Sequence, residues 1–338
     1  VKKTDLSYTF PKELIALKPE RPSRVLLNNP GVSPQEISMT QLLSLFQPGD
    51  LLVINETKVI PSRLKSTSGE EFLFIRALSD FDWEVLFPAK AFRVGQSFDF
   101  PEGLKVELSE KGLPQRVRTS KPMEFDYFQK HGLVNLPPYI LSERGKEKYL
   151  SEDQDWYQTK WAKEIGSVAA PTASLHFSLD DLNTLEAKGV TVRPLTLHVG
   201  LGTFFPLRSE QLTEHKMHFE TVSVPKDLIL KAEQTRASGR RVWALGTTVV
   251  RALESVKGDL LERDEEGDFS GETNLFIYPP YEFQLVNGLL TNFHQPESTL
   301  LALVCAFYGQ EKVMEAYSYA IKERFRLFSY GDLSVWIQ

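Results

Sequence analysis

Five of the six histidines fall in the second half of the chain, at His176, His198, His215, His218 and His294. Their surroundings are SLHF for His176, TLHVGLGTF for His198, HKMHFE for His215 and His218, and TNFHQPEST for His294. An imidazole titrates near neutral pH, so it can take or give a proton under working conditions. The chemistry these residues suggest is proton transfer. A metal site is the competing reading, because HKMH on a helix would turn His215 and His218 toward one ion, with a third histidine added. The glutamate of the zinc-protease HExxH pattern is missing, and Glu220 stands outside that spacing. The plain alternative for each histidine is a satisfied core or surface residue.

Several stretches have the composition of ligand-holding loops. The run GSVAAPTASLHF at 166–177 is small and uncharged up to His176. Pro171 argues against a helix interior and the shortage of β-branched residues against a core strand. Small residues suit a place where backbone comes close to a ligand or to another segment, and Thr172 and Ser174 add hydroxyls there. GLGTF at 200–204, with Gly200 and Gly202, follows a strand and is not a Walker loop, because no Gly-Lys-Ser/Thr follows. GTT at 246–248 opens a helix after a strand. Its free N–H groups and the Thr247 and Thr248 hydroxyls suit a carboxylate or a phosphate, with an ordinary cap as the alternative. Near the end, Arg324 and Arg326 alternate with Phe325, Phe328 and Tyr330, a mixture that suits RNA phosphate and base stacking or, equally, a buried terminal segment. NETK at 55–58 follows a strand end, where α/β proteins place ligands.

These residues need a scaffold, and the chain is long enough for about two domains at ~150 residues each. Its 338 residues are 41% hydrophobic and 25% charged, the balance of a globular protein with ample core. Cys305 is the single cysteine, which excludes an internal disulfide and a thiolate metal cage and fits a reducing cytoplasm. The lysines at the start precede no apolar core, so no signal peptide is expected, and no stretch approaches the ~20 apolar residues of a membrane span. A net charge of −6 neither announces a nucleic-acid partner nor excludes one.

PKELIAL reads as a helical patch and LLVI as a buried strand. From about 70 to 135 the texture changes to short alternating runs, EEFLFIRAL, DWEVLFPA, QSFDF, LKVELSE, RVRTS and EFDYF, separated by turn residues, which points to a small barrel or sandwich. The highly charged stretch at 142–158 reads as a boundary. Beyond it SLDDLNTLEAKG, with Ser178 as N-cap, VTVRPLTLHVG, RRVWALGTTVVRALESV and STLLALVCAFYG alternate helix and strand. The expectation is an α/β main domain, residues 1–65 plus 150–338, carrying an inserted all-β, barrel-like smaller domain at 66–149.

The order of these blocks is more specific than any one of them. LLVINETKVIPSRL, LPPYI, YQTKWAKEIGSVAAPTASLHF, TLHVGLGTFFPL, HKMHFE, GTTVVRALES, TNFHQPESTLLALVCAF and FRLFSYGD follow one another as in a single family. The chain resembles the S-adenosylmethionine:tRNA ribosyltransferase-isomerases (the QueA family) of queuosine biosynthesis. The resemblance implies that S-adenosylmethionine is used as a ribosyl donor. The ribosyl unit would be transferred and isomerised onto 7-aminomethyl-7-deazaguanine at the tRNA wobble position, giving epoxyqueuosine with release of adenine and methionine. It implies a larger α/β domain with a smaller β-barrel, a cytoplasmic enzyme, a monomer or weak homo-oligomer, no membrane partner and no metal.

On that reading His176, His198 and His294 carry the proton transfers. Thr172, Ser174, Gly200, Gly202, Thr247, Thr248 and Arg251 hold S-adenosylmethionine, with Phe177, Phe204 or Phe293 facing its sulfonium. Arg24, Arg324, Arg326 and Tyr330 meet RNA, with Arg21, Lys121, Arg144 and Lys146 as further basic candidates. Two competing readings are a metal-dependent hydrolase built on the histidines and a non-catalytic RNA-binding protein. The chain departs from the family's usual pattern at Glu297, where a lysine is common, and at Pro279-Pro280-Tyr281, which replaces a Pro-Gly-Tyr. PERPSRVLL also lacks the acidic residue often found before the Ser-Arg pair.

Overall fold

The computed structural model describes residues 1–200, 202, 207 and 209–338. Among them, ten strands form one mixed sheet in the order Glu262–Arg263, Phe269–Thr273, Glu220–Val224, Thr191–Leu197, Leu51–Asn55, Val242–Leu245, Gly288–Asn292, Leu333–Ile337, Val25–Asn28 and Gln35–Ile37. The four strands at its centre, from Thr191–Leu197 to Gly288–Asn292, are mutually parallel. Leu51–Asn55, Val242–Leu245 and Gly288–Asn292 are buried throughout, which is why they read as continuous apolar runs rather than alternating ones. Successive side chains point to opposite faces. Leu51 and Val53 join one core with Val249, Val250 and Leu253 of helix Thr247–Lys257, while Leu52 and Ile54 join another with Leu42, Phe46, Leu182 and Leu185.

The helices begin where their caps allow. Ser178 and Ser38 close capping boxes with Asp181 and Gln41, and Ser298 accepts from the Leu301 N–H. Glu254, buried on helix Thr247–Lys257, accepts from the N–H groups of Gln284, Leu285 and Val286 at 2.9, 3.1 and 3.3 Å. That one carboxylate fixes the approach of the chain to strand Gly288–Asn292. None of the described helices is long and apolar enough to cross a membrane.

A second sheet covers 63–119. Its six antiparallel strands run in the order Arg63–Lys65, Glu71–Ala77, Asp82–Leu86, Gln115–Thr119, Lys105–Glu110 and Ser97–Asp99. Its core is rich in phenylalanine, with Phe72, Phe74, Phe87, Phe98 and Phe100 all buried. The two outer strands are not paired with each other, so the sheet is open rather than a closed barrel.

Three local expectations are corrected. EFDYF lies in helix Phe125–His131, which drops Phe128 into the aromatic core and sends the Tyr127 hydroxyl to the Pro101 carbonyl at 2.9 Å. PKELIAL contains only one 3-10 turn, Lys12–Leu14. The charged stretch at 142–158 is no loose boundary. Arg144 grips Asp153 at 2.6 Å with both side chains buried, and Tyr157 is a core residue.

Gly288 lies flat against the buried Trp243 indole, and a Cβ at that position would overlap the ring. Gly288→Ala is expected to lower unfolding free energy by about 1–3 kcal/mol, the usual cost of overpacking. Urea denaturation monitored by tryptophan fluorescence checks this; an unshifted midpoint would show that the indole can move aside freely.

Candidate active site

The four parallel strands end at one edge of the sheet, and the chain order reverses around Leu51–Asn55, which has Thr191–Leu197 on one side and Val242–Leu245 on the other. Open α/β sheets bind ligands at such a switch point, beyond the carboxyl ends of the strands. A cleft of about 290 Å³ lies there. It is walled by 169–173, by Val199, by Gly246, Thr247 and Thr248, by Thr291 to Gln295, by Ser298 and Leu300, by Phe328 and Ser329, and by Pro138, Tyr139 and Tyr157. No acidic or basic side chain lines it among the described residues, apart from His294.

Backbone geometry forms one wall. Gly246 has φ +102°, a conformation costly for any residue with a Cβ, and its N–H is bonded to the Leu290 carbonyl at 2.8 Å. The turn aims the first N–H groups of helix Thr247–Lys257 toward the cleft, and no side chain caps them. Such a helix start attracts an anionic group. Thr248 is oriented by Asn55, whose Nδ2 donates to the Leu197 carbonyl at 2.9 Å and toward Thr248 Oγ1 at 3.4 Å. Asn55 Oδ1 accepts from the N–H groups of Thr57 and Leu197, both at 3.1 Å. The NETK signal therefore marks a buried stitch between strand ends, with Asn55 and Thr57 both inaccessible.

His294 lines the cleft directly. Its N–H donates to the Tyr317 hydroxyl at 2.9 Å, and its carbonyl accepts from the Tyr8 hydroxyl. Nε2 meets Thr291 Oγ1 at 3.0 Å, and Nδ1 has no partner among the described residues. If Thr291 donates to Nε2, Nδ1 carries the ring proton; if Thr291 accepts, Nδ1 holds a lone pair. Rotation of one hydroxyl accompanies the change from acid to base. Burial pushes the His294 imidazole down to about 3, so it is neutral at working pH.

Thr172 also lines the cleft and donates to Asn292 Oδ1 at 3.0 Å. His176 stands behind Asn292 rather than in the wall. Its Nε2 lies 3.0 Å from Asn292 Nδ2 and its Nδ1 lies 2.6 Å from Ser23 Oγ. Burial, with Arg21 and Arg326 nearby, pushes it down to about 3 as well. Ser174, two residues from Thr172, is buried away from the cleft with its hydroxyl unpaired. Its expected contact with S-adenosylmethionine is not supported, because the turn Thr172–His176 buries the three consecutive side chains of Ala173, Ser174 and Leu175.

His198, Gly200 and Gly202 line a different groove, of about 550 Å³, whose far wall is Ile75, Arg76, Glu84 and Leu86 of the antiparallel sheet. The two openings share Val199. His198 Nδ1 meets Thr57 Oγ1 at 2.8 Å, and the ring rests on Gly166, where a Cβ would come within 2.7 Å of it. That contact explains one glycine of the small-residue run. Burial lowers the His198 pKa, partly offset by Glu164.

Arg251 is corrected outright. It is buried in an ion pair with Glu220 and donates from Nε to the Leu275 carbonyl at 3.1 Å. Glu220 in turn accepts the Gly200 N–H at 3.0 Å. Arg251 thus braces the glycine-rich run from inside and does not reach the cleft. Tyr330 is also corrected, being 2% exposed and packed edge-on against Trp156 and Tyr157. Arg24 is held by Glu36 at 2.6 Å and stacks on Phe325 at 4.0 Å, and Arg326 is held by Asp332 at 2.9 Å and Glu20 at 3.3 Å. Both guanidiniums are spent on structure; of the three arginines Arg24, Arg324 and Arg326, Arg324 is the exposed one, 3.8 Å from Glu13.

Phe177 is sealed in the core, Phe293 lines the cleft, and Phe204 lies outside the described residues. Among the described residues no group of three or more His, Cys, Asp and Glu side chains is arranged to hold a metal. Glu297, at φ +55°, pairs with Lys3 at 3.4 Å, so its carboxylate is occupied near the N-terminus.

Sequence reasoning missed Asn292, Thr291, Tyr139, Tyr157 and Phe328 as cleft residues. Tyr139 shares a 2.6 Å hydrogen bond with Ser329 Oγ, and burial pushes its hydroxyl up to about 12. The signal was present, since these residues fall inside LPPYI, YQTKW, TNFH and FRLFSYGD.

A family model described as queuosine biosynthesis protein matches residues 3–336. The chain belongs to this family. A relative from Thermotoga maritima named S-adenosylmethionine:tRNA ribosyltransferase-isomerase is 41% identical, with 98% of each chain covered. A relative of the same name from Stenotrophomonas maltophilia is 44% identical over 98% of this chain and 97% of its own. The crystal structure of S-adenosylmethionine tRNA ribosyltransferase from Thermotoga maritima matches with a TM-score of 0.55 at 32% identity, covering 98% of this chain and 99% of that one. The mixed α/β architecture with a curled antiparallel sheet is shared with that structure.

Two outcomes are expected. Arg251→Leu should cost about 3–5 kcal/mol of stability by taking the cation from a buried ion pair, seen as a lower urea midpoint; unchanged stability with weaker ligand binding would return Arg251 to the site. His176 and His294 stay neutral in the folded chain but protonate near 6.5 when unfolded. Between about pH 6.5 and 3 the unfolded state binds the extra protons, so stability must fall on acidification, by on the order of 1 kcal/mol per histidine per pH unit. Denaturation at pH 7 and pH 5 should show a smaller loss for His294→Gln than for the unaltered chain, and equal losses would count against a neutral buried His294.

Proposed function

We propose that the chain transfers and isomerises the ribosyl unit of S-adenosylmethionine onto 7-aminomethyl-7-deazaguanine at the tRNA wobble position, giving epoxyqueuosine with release of adenine and methionine. The observation that carries this is the match to ribosyltransferase-isomerases over 98% of both chains.

The cleft supports the same reading chemically. S-adenosylmethionine brings a carboxylate, a sulfonium and a nucleoside. The uncapped start of helix Thr247–Lys257 suits the carboxylate. Tyr139, Tyr157 and Phe328 are among the residues lining the cleft, and a cation sits well against aromatic faces where no carboxylate competes. Thr172 and Thr248 offer hydroxyls to the nucleoside. The small side chains of Ala169, Ala170 and Ala173 leave room for its rings.

A sulfonium acidifies the adjoining ribose C5′–H, so a neutral base can remove that proton. Adenine leaves more readily when it gains one, and the tRNA amine must be neutral to attack. We assign such transfers to His294, whose Nδ1 is uncommitted and whose neutral state at working pH suits a base. We place the tRNA nucleoside in the adjoining groove across Val199, with His198 beside it and Arg324 on the outer surface. Residues 66–149 would then be an inserted unit supplying the far wall of that groove, and 1–65 with 150–338 the catalytic unit.

One incubation tests the proposal: purified protein, S-adenosylmethionine and tRNA bearing the aminomethyl-deazaguanine base. Adenine release by chromatography with a ribosyl-sized gain in nucleoside mass is expected. No adenine and an unchanged nucleoside, with tRNA still bound, would favour a binding protein instead.

A further inference from the structure

We infer that Thr172 is a hydrogen-bond acceptor for a donor group of the bound nucleoside, and that Ser23, His176 and Asn292 are positioning residues that make it one. The inference rests on the cleft being the S-adenosylmethionine site and says which pole of the Thr172 hydroxyl the ligand meets.

The argument runs outward from the backbone. Asn292 Nδ2 lies 3.1 Å from the Phe328 carbonyl and 3.4 Å from the Ser329 carbonyl. Carbonyl oxygens only accept, so the amide's nitrogen end must face them. The same nitrogen lies 3.0 Å from His176 Nε2. An amide nitrogen has no lone pair to offer, so Nε2 must be the acceptor and the ring proton must sit on Nδ1. Nδ1 then donates to Ser23 Oγ at 2.6 Å. The imidazole is therefore neutral in a single tautomer, consistent with its burial and the adjacent Arg21 and Arg326 charges. Arg21 also donates to the Leu175 carbonyl, which steadies the turn that carries the ring.

At the other end of the amide, Asn292 Oδ1 holds only lone pairs. Thr172 Oγ1, 3.0 Å away, must give it its proton. A hydroxyl has one proton to give. With that proton committed, Thr172 turns lone pairs toward the cleft it lines and can only accept. Turning Asn292 over would set Oδ1 against the Phe328 and Ser329 carbonyls, so the polarity of Thr172 is fixed by the protein's own hydrogen bonds before any ligand enters. The nucleoside groups that match an acceptor are the ribose hydroxyls and the adenine amino group.

The test is calorimetric binding of S-adenosylmethionine without tRNA, which keeps the ligand intact. It is compared with 2′-deoxy and 3′-deoxy analogues and an analogue with hydrogen in place of the adenine amino group. Thr172→Val keeps the shape and removes the acceptor; its Kd should rise roughly 5- to 10-fold, the worth of one hydrogen bond, and Thr172→Ser should stay near the original value. The analogue lacking the contacted donor should bind the unaltered protein more weakly by a similar factor, yet lose nothing further in Thr172→Val. His176→Gln, which can present an amide oxygen where Nε2 accepts, should bind better than His176→Leu. Losses that simply multiply for all three analogues would overturn the inference. Failure of the unaltered protein to bind S-adenosylmethionine would overturn the functional reading and this inference with it, whereas normal binding with multiplying losses overturns this inference alone.

Discussion

Four parallel strands end together at one edge of the sheet, and the polar backbone groups they leave there must be satisfied without filling the space beyond. Two buried asparagines do this. Asn55 ties the end of its strand to Leu197, taking an N–H and giving to a carbonyl of the same residue. Asn292 ties the end of Gly288–Asn292 to the Phe328–Ser329 turn. A side-chain amide has both donors and an acceptor, so one residue can close two unlike ends. Each asparagine also meets a hydroxyl that lines the cleft, Asn55 that of Thr248 and Asn292 that of Thr172. The hydroxyls that face the cleft are thus oriented by the groups that terminate the sheet. Loss of either amide would disturb the scaffold and the site together.

Charge is managed in the complementary way. Three ion pairs with buried partners lie outside the cleft: Arg251 with Glu220, Arg144 with Asp153, Arg326 with Asp332. Each pair braces a segment that reaches the cleft or its neighbouring groove, so the strong electrostatics serve position. The cleft itself keeps neutral groups, a helix start and aromatic faces. Such a lining meets the opposite charges of S-adenosylmethionine without offering a counter-ion that would have to be stripped of water when the ligand is absent.

The fold was largely legible because its elements follow periodicity. LLVIN, VWAL and the Ser178 and Ser298 helices were readable from local patterns, since burial on both faces and capping are local demands. EFDYF was misread because five residues carry too little pattern to separate a strand from a helix whose Phe128 fills a distant aromatic core. The charged stretch at 142–158 misled for another reason: composition reports that Arg144 and Asp153 are ions, and says nothing of their finding each other in the interior.

The site was legible as a set of blocks but not as a set of roles. Thr172, Thr247, Thr248 and His294 do face the cleft, while His176, Ser174 and Arg251 stand behind it. The two groups share the same motif-like surroundings, because a residue that orients a reacting partner is constrained as tightly as one that reacts. His176 illustrates the point. An imidazole supplies an acceptor on one side and a donor on the other at a fixed spacing, and here that geometry serves a static purpose. Both its nitrogens are already bonded, so it has none left to take a proton from a substrate, and its burial makes it reliable as a spacer, since the tautomer cannot be disturbed by ordinary changes of pH. His294 differs from it by one uncommitted nitrogen. What distinguishes the group that can move a proton from the group that holds it in place is therefore the number of partners already taken, a property that exists only once the chain is folded.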